Sequence, residues 1–339
     1  MTGGKIGKIV RWVITAGVIV GMVLFARTVN WHDTWKAIRA ASPGILLVAT
    51  LVNLLSLAVK GVRWWIFLRP VGASSLPLAM RATFAGAGLN NVLVANGGEA
   101  ARVIFVSRAS HVPSARVLAT LALERLFELI GYIVMLALAI SFLNLPSSIE
   151  RFRPVAWLSL AVVLGLLVYL VRRPEKAAQV VVEGAGWKAR FGAYMSRFME
   201  TMAELSTPSR FVAALLLSVG VWILQVLTYH LTARAAGFPI TLVGTIACLL
   251  AVNLGFALRA TPGNVGVFQM LYAVTAVAIG LDRNQAIAVA FLIQTQQILP
   301  VTLMGVALAP EFLLKRGKTR PIGEREAKIE DAKVVRSVE

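Results

Sequence analysis

The chain alternates long apolar runs with short basic segments. A membrane-spanning helix needs about 20 mostly apolar residues. Six runs reach roughly that length, at residues 9–26, 44–68, 114–141, 154–171, 209–235 and 284–314. The pattern predicts an all-α polytopic integral membrane protein with about six full spans.

Two further apolar stretches are interrupted at their centres. The stretch 76–108 breaks at Asn-Gly-Gly-Glu (96–99), and its arms are too short to span comfortably, which predicts a re-entrant hairpin. The stretch 240–281 breaks at Arg-Ala-Thr-Pro-Gly-Asn (259–264), and its longer arms fit either a hairpin or two full spans. Either interpretation returns the chain to the side from which it entered.

The order of span, broken hairpin and span occurs twice, at about 44–141 and about 209–314, with an offset of about 165 residues. The enclosing spans run in opposite directions, so the two hairpins would enter from opposite sides. We therefore predict an inverted repeat. Many secondary transporters have this arrangement, and interrupted segments in matching positions point to their substrate site.

Composition excludes an ordinary soluble domain, because 58% of the residues are hydrophobic, 15% are charged and the mean hydropathy is +0.76. The net charge of +18 lies mostly between the apolar runs, as in basic cytoplasmic loops, so we expect no nucleic-acid partner. With the N-terminus inside, the inner segments hold 25 Lys and Arg and the outer loops seven. This predicts a multi-pass protein of the cell's inner (cytoplasmic) membrane, with both termini cytoplasmic.

We expect residues 1–314 to form a single transmembrane domain. Within it, residues 172–208 mix charges with aromatic residues three or four apart, which predicts an amphipathic cytoplasmic linker at the membrane surface. The basic tail 315–339 lacks apolar periodicity and is expected to be cytoplasmic and disordered.

Both breaks carry residues suited to helix N-termini. Asn96 can cap the second arm of the first hairpin, with Glu99 reaching back as in a capping box. Thr261 can cap the matching arm of the second hairpin, and Gly263 lets another group approach the backbone. The exposed N–H groups of these arms would form an anion site, with two basic residues beside it, Arg102 and Arg259.

The run 114–141 contains Glu124, Arg125 and Glu128. The i, i+4 spacing places both carboxylates on one helical face, with Arg125 turned away from it. Either Arg125 or Arg102 neutralises a glutamate to hold helices together, or the glutamates act on substrate or protons.

Polar and aromatic residues mark other spans. Three glutamines of the last span either line a cavity or bond to neighbouring helices: Gln294, Gln296 and Gln297. Five tryptophans near span ends are predicted to be interfacial anchors: Trp12, Trp31, Trp35, Trp64 and Trp65. We expect no metal and no cofactor, because Cys248 is the single cysteine and the three histidines lack ligand spacing.

Three segments resemble the lysylphosphatidylglycerol synthase transmembrane-region family, also called the flippase-like family: NNVLVANGGEAARV, LERLFEL and TPGNVGVFQ. The resemblance covers roughly residues 10–312. Its Gly-Glu-x-x-Arg, Glu-Arg and Pro-Gly-x-x-Gly elements coincide with the residues selected above. It implies transfer of a polar-headed lipid between leaflets.

The chain departs from the family pattern at three places. Val94 and Ala95 stand where a proline is common, Glu128 where aspartate is usual, and Gln269 where a glutamate often follows the second break. The last departure puts a shared proton mechanism in doubt. Because few residues follow position 314, we expect this chain not to carry the aminoacyl-transfer domain itself.

The leading hypothesis is a lipid flippase or scramblase, not an enzyme, that moves a phosphate-bearing polar lipid between leaflets. Arg102 and Arg259 would hold phosphate, and membrane lipids would be the partners. The complete set of predicted substrate-binding residues is Asn96, Gly97, Gly98, Glu99, Arg102, Glu124, Arg125, Arg259, Thr261, Gly263 and Asn264.

Two alternatives stay open. The first is a membrane partner subunit of a lipid-linked glycosyltransferase or synthase. The second is an intramembrane transferase with Glu99 or Glu124 as general base.

Overall fold

The computed structural model describes residue 27 and residues 29–92, 97–142, 153–172, 208–256 and 264–314, and this part of the chain contains helices and no strand. The helices of the described chain, numbered here in order, are α1 Trp31–Ala40, α2 Pro43–Leu68, α3 Leu76–Val92, α4 Gly97–Ser110, α5 Ser114–Phe142, α6 Arg153–Arg172, α7 Pro208–Ala235, α8 Leu242–Phe256, α9 Val267–Ala278 and α10 Arg283–Leu314.

Three described helices are long and apolar enough to cross a membrane. They are α2 over Pro43–Leu68, α7 over Ser209–Ala235 and α10 over Arg283–Gly305. Helix α5 has 29 residues but carries several charges, and α6 has 20 residues. The run 9–26, the linker 172–208 apart from its first and last residues, and the tail 315–339 lie outside the described residues. The total of six spans therefore stays a prediction.

The long helices expose apolar side chains on their outer faces. On α2, Leu47, Leu51 and Leu55 recur every four residues and are each more than half exposed. Leu216 on α7 and Leu303 on α10 are exposed to a similar degree. Contiguous apolar surface of this kind is suited to lipid contact rather than to water.

The two interrupted stretches form pairs of short packed helices. Helices α3 and α4 have 17 and 14 residues, and α8 and α9 have 15 and 12. At 1.5 Å per residue the longest arm is about 26 Å, shorter than the roughly 30 Å hydrocarbon core. Each pair packs together, so the arm lengths favour a hairpin over two full spans for 240–281 as well.

Helices α2 and α7 pack against each other in antiparallel directions. The Ser42 N–H donates to the Ala235 carbonyl at 2.8 Å, at the start of α2 and the end of α7. Near the other end of α2, Arg63 Nη1 donates to Ser218 Oγ at 3.0 Å.

Helices α3 and α10 also run antiparallel and approach closely. A Cβ placed on Gly88 would lie 2.7 Å from the Gly305 Cα, so only backbone fits between them. Further along, Asn91 Nδ2 donates to Thr302 Oγ1 at 3.1 Å.

The buried apolar residues form two main cores. One is formed mainly by α2, α4 and α5, where the rings of Phe67 and Phe127 are 5.4 Å apart. The other is formed mainly by α7 to α10, where the rings of Tyr229 and Phe268 are 6.1 Å apart.

The predicted role of Trp64 as an interfacial anchor is wrong. Its side chain is fully buried in the first core, with Nε1 donating to Thr120 Oγ1 at 3.0 Å. Trp31 and Trp35 are about half exposed, at 52% and 54%.

Candidate functional site

Seven charged side chains from three helices form one connected cluster, which we call the charge network. Helix α2 contributes two of them, α4 two and α5 three: Lys60, Arg63, Glu99, Arg102, Glu124, Arg125 and Glu128.

Glu124 is the most deeply buried carboxylate of the charge network, with 4% of its side chain exposed. Arg102 Nη2 donates to Glu124 Oε2 at 3.0 Å, and Arg63 Nη2 lies 3.5 Å from the other carboxylate oxygen. The Arg63 side chain has no exposed surface. A buried charge is tolerated only when it is paired, and here each ion compensates another.

Glu128 lies one helical turn further along α5 and pairs with three cations. Its carboxylate lies 3.3 Å from Arg63, 3.8 Å from Lys60 and 2.5 Å from Arg125. Because Arg63 reaches both Glu124 and Glu128, the predicted placement of the two carboxylates on one face is confirmed. Arg125 also pairs with Glu99 on α4.

Close packing within the first hairpin lets Arg102 reach the buried side of α5. A Cβ on Gly86 would lie 2.3 Å from Arg102 Cγ, and a Cβ on Gly98 would lie 2.0 Å from the Gly86 carbonyl oxygen. The Arg102 guanidinium then lies over the Trp64 ring, 4.0 Å from its centroid, within the range of a cation–π contact.

The start of α4 has a hydrogen-bond partner within the first hairpin. The Gly98 N–H donates to Asn90 Oδ1 at 2.9 Å, while the Glu99 side chain contacts Arg125. Asn96, the predicted cap, lies outside the described residues.

The second hairpin begins its second arm later than predicted. Helix α9 starts at Val267 with Gly266 as N-cap, so Thr261 as the cap of this arm is wrong. Gly266 has φ +88, a backbone conformation that favours glycine, and its N–H donates to Gln269 Oε1 at 2.7 Å. The other end of that amide, Gln269 Nε2, donates to Gln294 Oε1 at 2.5 Å.

Asn264 lies in the turn before α9 and is buried, with φ +55. Its Nδ2 donates to the Gly255 carbonyl at 3.5 Å, across the hairpin. Its Oδ1 is buried without a hydrogen-bond partner in the described chain.

The glutamines of α10 fill both predicted roles. Gln294 bonds to Gln269, and Gln296 Oε1 accepts from Thr232 Oγ1 on α7 at 2.9 Å. Gln297 lines a cavity of about 160 Å³ between α2, α3, α7 and α10, and its side chain also hydrogen-bonds to Tyr229 on α7.

The structure brings six of the predicted site residues together at the first hairpin and α5: Gly97, Gly98, Glu99, Arg102, Glu124 and Arg125. Asn264 belongs to the second hairpin. Four others lie outside the described residues: Asn96, Arg259, Thr261 and Gly263. Within the described ranges, no group of three His, Cys, Asp or Glu side chains could hold a metal ion.

Lys60 and Arg63 are absent from the predicted site residues because both are counted among the basic residues of an inner segment, although the predicted span 44–68 contains them. The structure places both within α2, which continues to Leu68. The available signal was the apolar sequence Trp64–Leu68 that follows them, because a true loop would not resume a buried helical face.

Comparison with known proteins identifies the family. The model of the lysylphosphatidylglycerol synthase transmembrane region matches residues 11–305. The chain belongs to this family of membrane proteins.

Three relatives show how widely this family extends. A UPF0104 membrane protein of Pyrococcus horikoshii is 24% identical over 85% of this chain and 94% of its own length. One from Methanocaldococcus jannaschii is 18% identical over 84% of this chain and 90% of its own length. The glycosyltransferase AglD of Haloferax volcanii is 23% identical over 79% of this chain, which corresponds to 49% of that longer protein.

Proposed function

We propose that this protein is a lipid flippase or scramblase that moves a phosphate-bearing polar lipid between leaflets and is not itself an enzyme. One observation carries the proposal: a buried charge network lies beside a polar cavity, inside a bundle with apolar outer faces. Ionisable groups at membrane depth are costly and usually mark a transport pathway or a proton relay.

The balance of charge favours an anionic substrate. Among the described residues, the charge network contains four cations and three carboxylates. The excess positive charge attracts a phosphate-bearing head group, and the surrounding apolar walls strengthen that attraction by lowering the local dielectric.

We also propose that α2–α5 and α7–α10 form an inverted repeat. The offset of about 165 residues takes Pro43 to Pro208, the first residues of α2 and α7, and α3 onto α8 to within one residue at each end. The antiparallel packing of α2 on α7 supports opposite orientations of the two halves.

The packing pattern supports the same repeat. The proposed repeat pairs α2 with α7, α3 with α8, α4 with α9 and α5 with α10. Under this exchange, the α2–α3 contact becomes α7–α8, α3–α4 becomes α8–α9, and α4–α5 becomes α9–α10. It also converts α3–α10 into α8–α5, α2–α5 into α7–α10, and α2–α10 into α7–α5. All of these contacts are present, as expected for a pseudo-two-fold axis.

We place the protein in the cytoplasmic membrane with both termini cytoplasmic. The structure removes Lys60, Arg63 and Arg102 from the inner-loop count, because they belong to the charge network. The inner segments still hold 22 Lys and Arg against seven outside, so the charge asymmetry keeps its direction.

The direct test measures lipid movement in proteoliposomes. Fluorescently labelled phosphatidylglycerol, its lysyl ester and a prenyl phosphoryl hexose would each be followed by bleaching of the outer-leaflet label. We expect faster movement of at least one lipid than in protein-free vesicles, and loss of that movement with Arg102→Ala. The control is Arg108→Ala on the same helix, because Arg108 is exposed and outside the charge network.

A second candidate function is a membrane subunit that serves a lipid-linked glycosyltransferase. The match to about half of the glycosyltransferase AglD favours it. This candidate predicts that no lipid moves in proteoliposomes. It also predicts that deleting 315–339 and neutralising 172–210 abolishes cellular function, while Arg102→Ala leaves it intact.

A further inference from the structure

The cavity between α2, α3, α7 and α10 has a polar lining whose ligand the proposed function leaves unspecified. Its volume of about 160 Å³ is at least about ten times the roughly 10–15 Å³ that a cavity needs to hold one water. Six polar side chains line it: Asn53, Ser56, Lys60, Asn91, Gln225 and Gln297. The cavity is therefore large enough to receive a polar head group and not only a few waters.

The two asparagines present oxygen acceptors to a ligand. Asn53 Nδ2 donates to the Gln296 carbonyl at 3.2 Å, and Asn91 Nδ2 donates to Thr302 Oγ1. Both amide nitrogens are thus engaged with α10, which leaves the Oδ1 atoms available. An amide oxygen accepts from a hydroxyl and repels a phosphate oxygen, so these two oxygens favour a ligand that carries hydrogen-bond donors.

Three other side chains supply donors. Among the described residues, Lys60 pairs only with Glu128, at 3.8 Å, and its side chain is 26% exposed. In the described chain, the Gln225 amide and the Ser56 hydroxyl have no hydrogen-bond partner. An ammonium group binds phosphate as a point charge, so the lining combines one anion site with several hydroxyl sites.

We infer that this cavity binds a glycosyl phosphate, the head group of a lipid-linked sugar. The phosphate contacts Lys60, and the sugar hydroxyls contact Asn53, Asn91 and Gln225. This inference rests on the proposed function, and it replaces Arg102 as the phosphate contact. Arg102 is 6% exposed and already bonds to Glu124, Thr83 and the Trp64 ring.

The test measures binding before movement. The full chain in phosphatidylcholine nanodiscs would be titrated by calorimetry with a short-chain prenyl phosphoryl hexose. The same prenyl phosphate without sugar and an alkyl hexoside without phosphate serve as partial ligands. We expect the complete head group to bind at least about tenfold more tightly than either partial ligand.

Three variants separate the two parts of the head group. Lys60→Met should weaken the phosphoryl hexose and the prenyl phosphate at least about tenfold and leave the alkyl hexoside unchanged. Asn91→Leu should remove the preference for the sugar. Ala87→Leu should fill the cavity and block all three ligands, since Ala87 is an apolar part of the lining.

Two controls test whether a loss of binding reflects a loss of folding. Glu128 keeps Arg63 and Arg125 as partners in Lys60→Met, so the variant should retain the thermal stability of the wild type. Lys36→Met removes an exposed lysine on α1 and should bind all ligands normally.

The outcomes distinguish this inference from the proposed function. Lipid movement that persists in Lys60→Met and Ala87→Leu would overturn the cavity site and leave the flippase intact. Prenyl phosphate binding as tightly as the phosphoryl hexose would overturn the sugar site. Binding with the expected variant pattern, but without movement in proteoliposomes, would support the cavity site and contradict the flippase.

Discussion

The two halves of the bundle make corresponding contacts with different chemistry. Glu99 is the third residue of α4 and pairs with Arg125, the twelfth residue of α5. Gln269 is the third residue of α9 and bonds to Gln294, the twelfth residue of α10. Each contact joins the second arm of a hairpin to the long helix that follows.

The correspondence extends toward the cavity. Glu128 and Gln297 are each the fifteenth residue of their helix, in α5 and α10. Lys60 and Gln225 are each the eighteenth residue, in α2 and α7. At all four positions the first half has an ion and the second half has a glutamine.

This difference shows that the contact between a hairpin and the next long helix does not depend on charge. Neutral amides make the hairpin contact in the second half, so the contact requires hydrogen bonding but not ionisation. Buried ions carry a desolvation penalty that an amide largely avoids. We therefore assign the charges of the first half to function and the Gln269–Gln294 amide pair to structure.

The largest expected effect comes from removing the central carboxylate. Glu124→Leu leaves Arg102 without a carboxylate, and we expect a loss of about 3–5 kcal/mol in the free energy of unfolding. Denaturant titration in detergent micelles measures it. The matched control is Ile293→Val, since Ile293 is the eleventh residue of α10 as Glu124 is of α5, with an expected cost of about 0.5–1.5 kcal/mol. Equal costs would mean that the buried ions do not depend on one another.

A glycine-to-alanine substitution should have an intermediate effect on stability, and the size of the effect should differ between the two hairpins. A Cβ on Gly98 meets the Gly86 carbonyl at 2.0 Å, which is rigid backbone, whereas a Cβ on Gly255 meets the flexible Leu271 Cδ1 at 2.2 Å. Gly98→Ala should therefore cost about 1–3 kcal/mol through overpacking. Gly255→Ala should cost less than about 1 kcal/mol, because alanine also favours the helix. Similar shifts in melting temperature for the two variants would contradict the different packing of the hairpins.

The smallest expected effect on stability comes from replacing the Glu99–Arg125 ion pair of the first half with a pair of glutamines, as in the second half. Glu99→Gln and Arg125→Gln should each cost about 1–2 kcal/mol, a value kept low because Arg125 is half exposed. The double variant should recover to within about 1 kcal/mol of the wild type, since a glutamine pair serves at the matching position. Lipid movement should nevertheless be lost in the double variant. Retained movement would show that these two charges are structural.

The sequence predicted the broken helices well. The hairpin expected at 76–108 has arms over Leu76–Val92 and Gly97–Ser110, and the one expected at 240–281 has arms over Leu242–Phe256 and Val267–Ala278. Interruptions of apolar sequence by Gly, Asn and Pro are local signals, so no knowledge of packing is needed to find them.

The details of the site depended on contacts that are distant in sequence. Arg63 meets Glu124 across 61 positions, and hydropathy does not show which carboxylate a cation inside α2 pairs with. In the same way, the position of Trp64 near the end of a span does not show its contact with Thr120 on α5. The cap at Thr261 failed because Thr-Pro is a good local start, whereas the positive φ that selects Gly266 depends on the fold of the turn.

The backbone contact between Gly88 and Gly305 has a mechanical consequence. Since no side chains separate α3 from α10 there, this crossing acts as a fulcrum between the first hairpin and the last long helix. Rotation about a fulcrum displaces nearby atoms little and distant atoms most. A small tilt of the first hairpin would therefore preserve the adjacent Asn91–Thr302 hydrogen bond. The same tilt would increase the distance between α10 and the opposite end of α3.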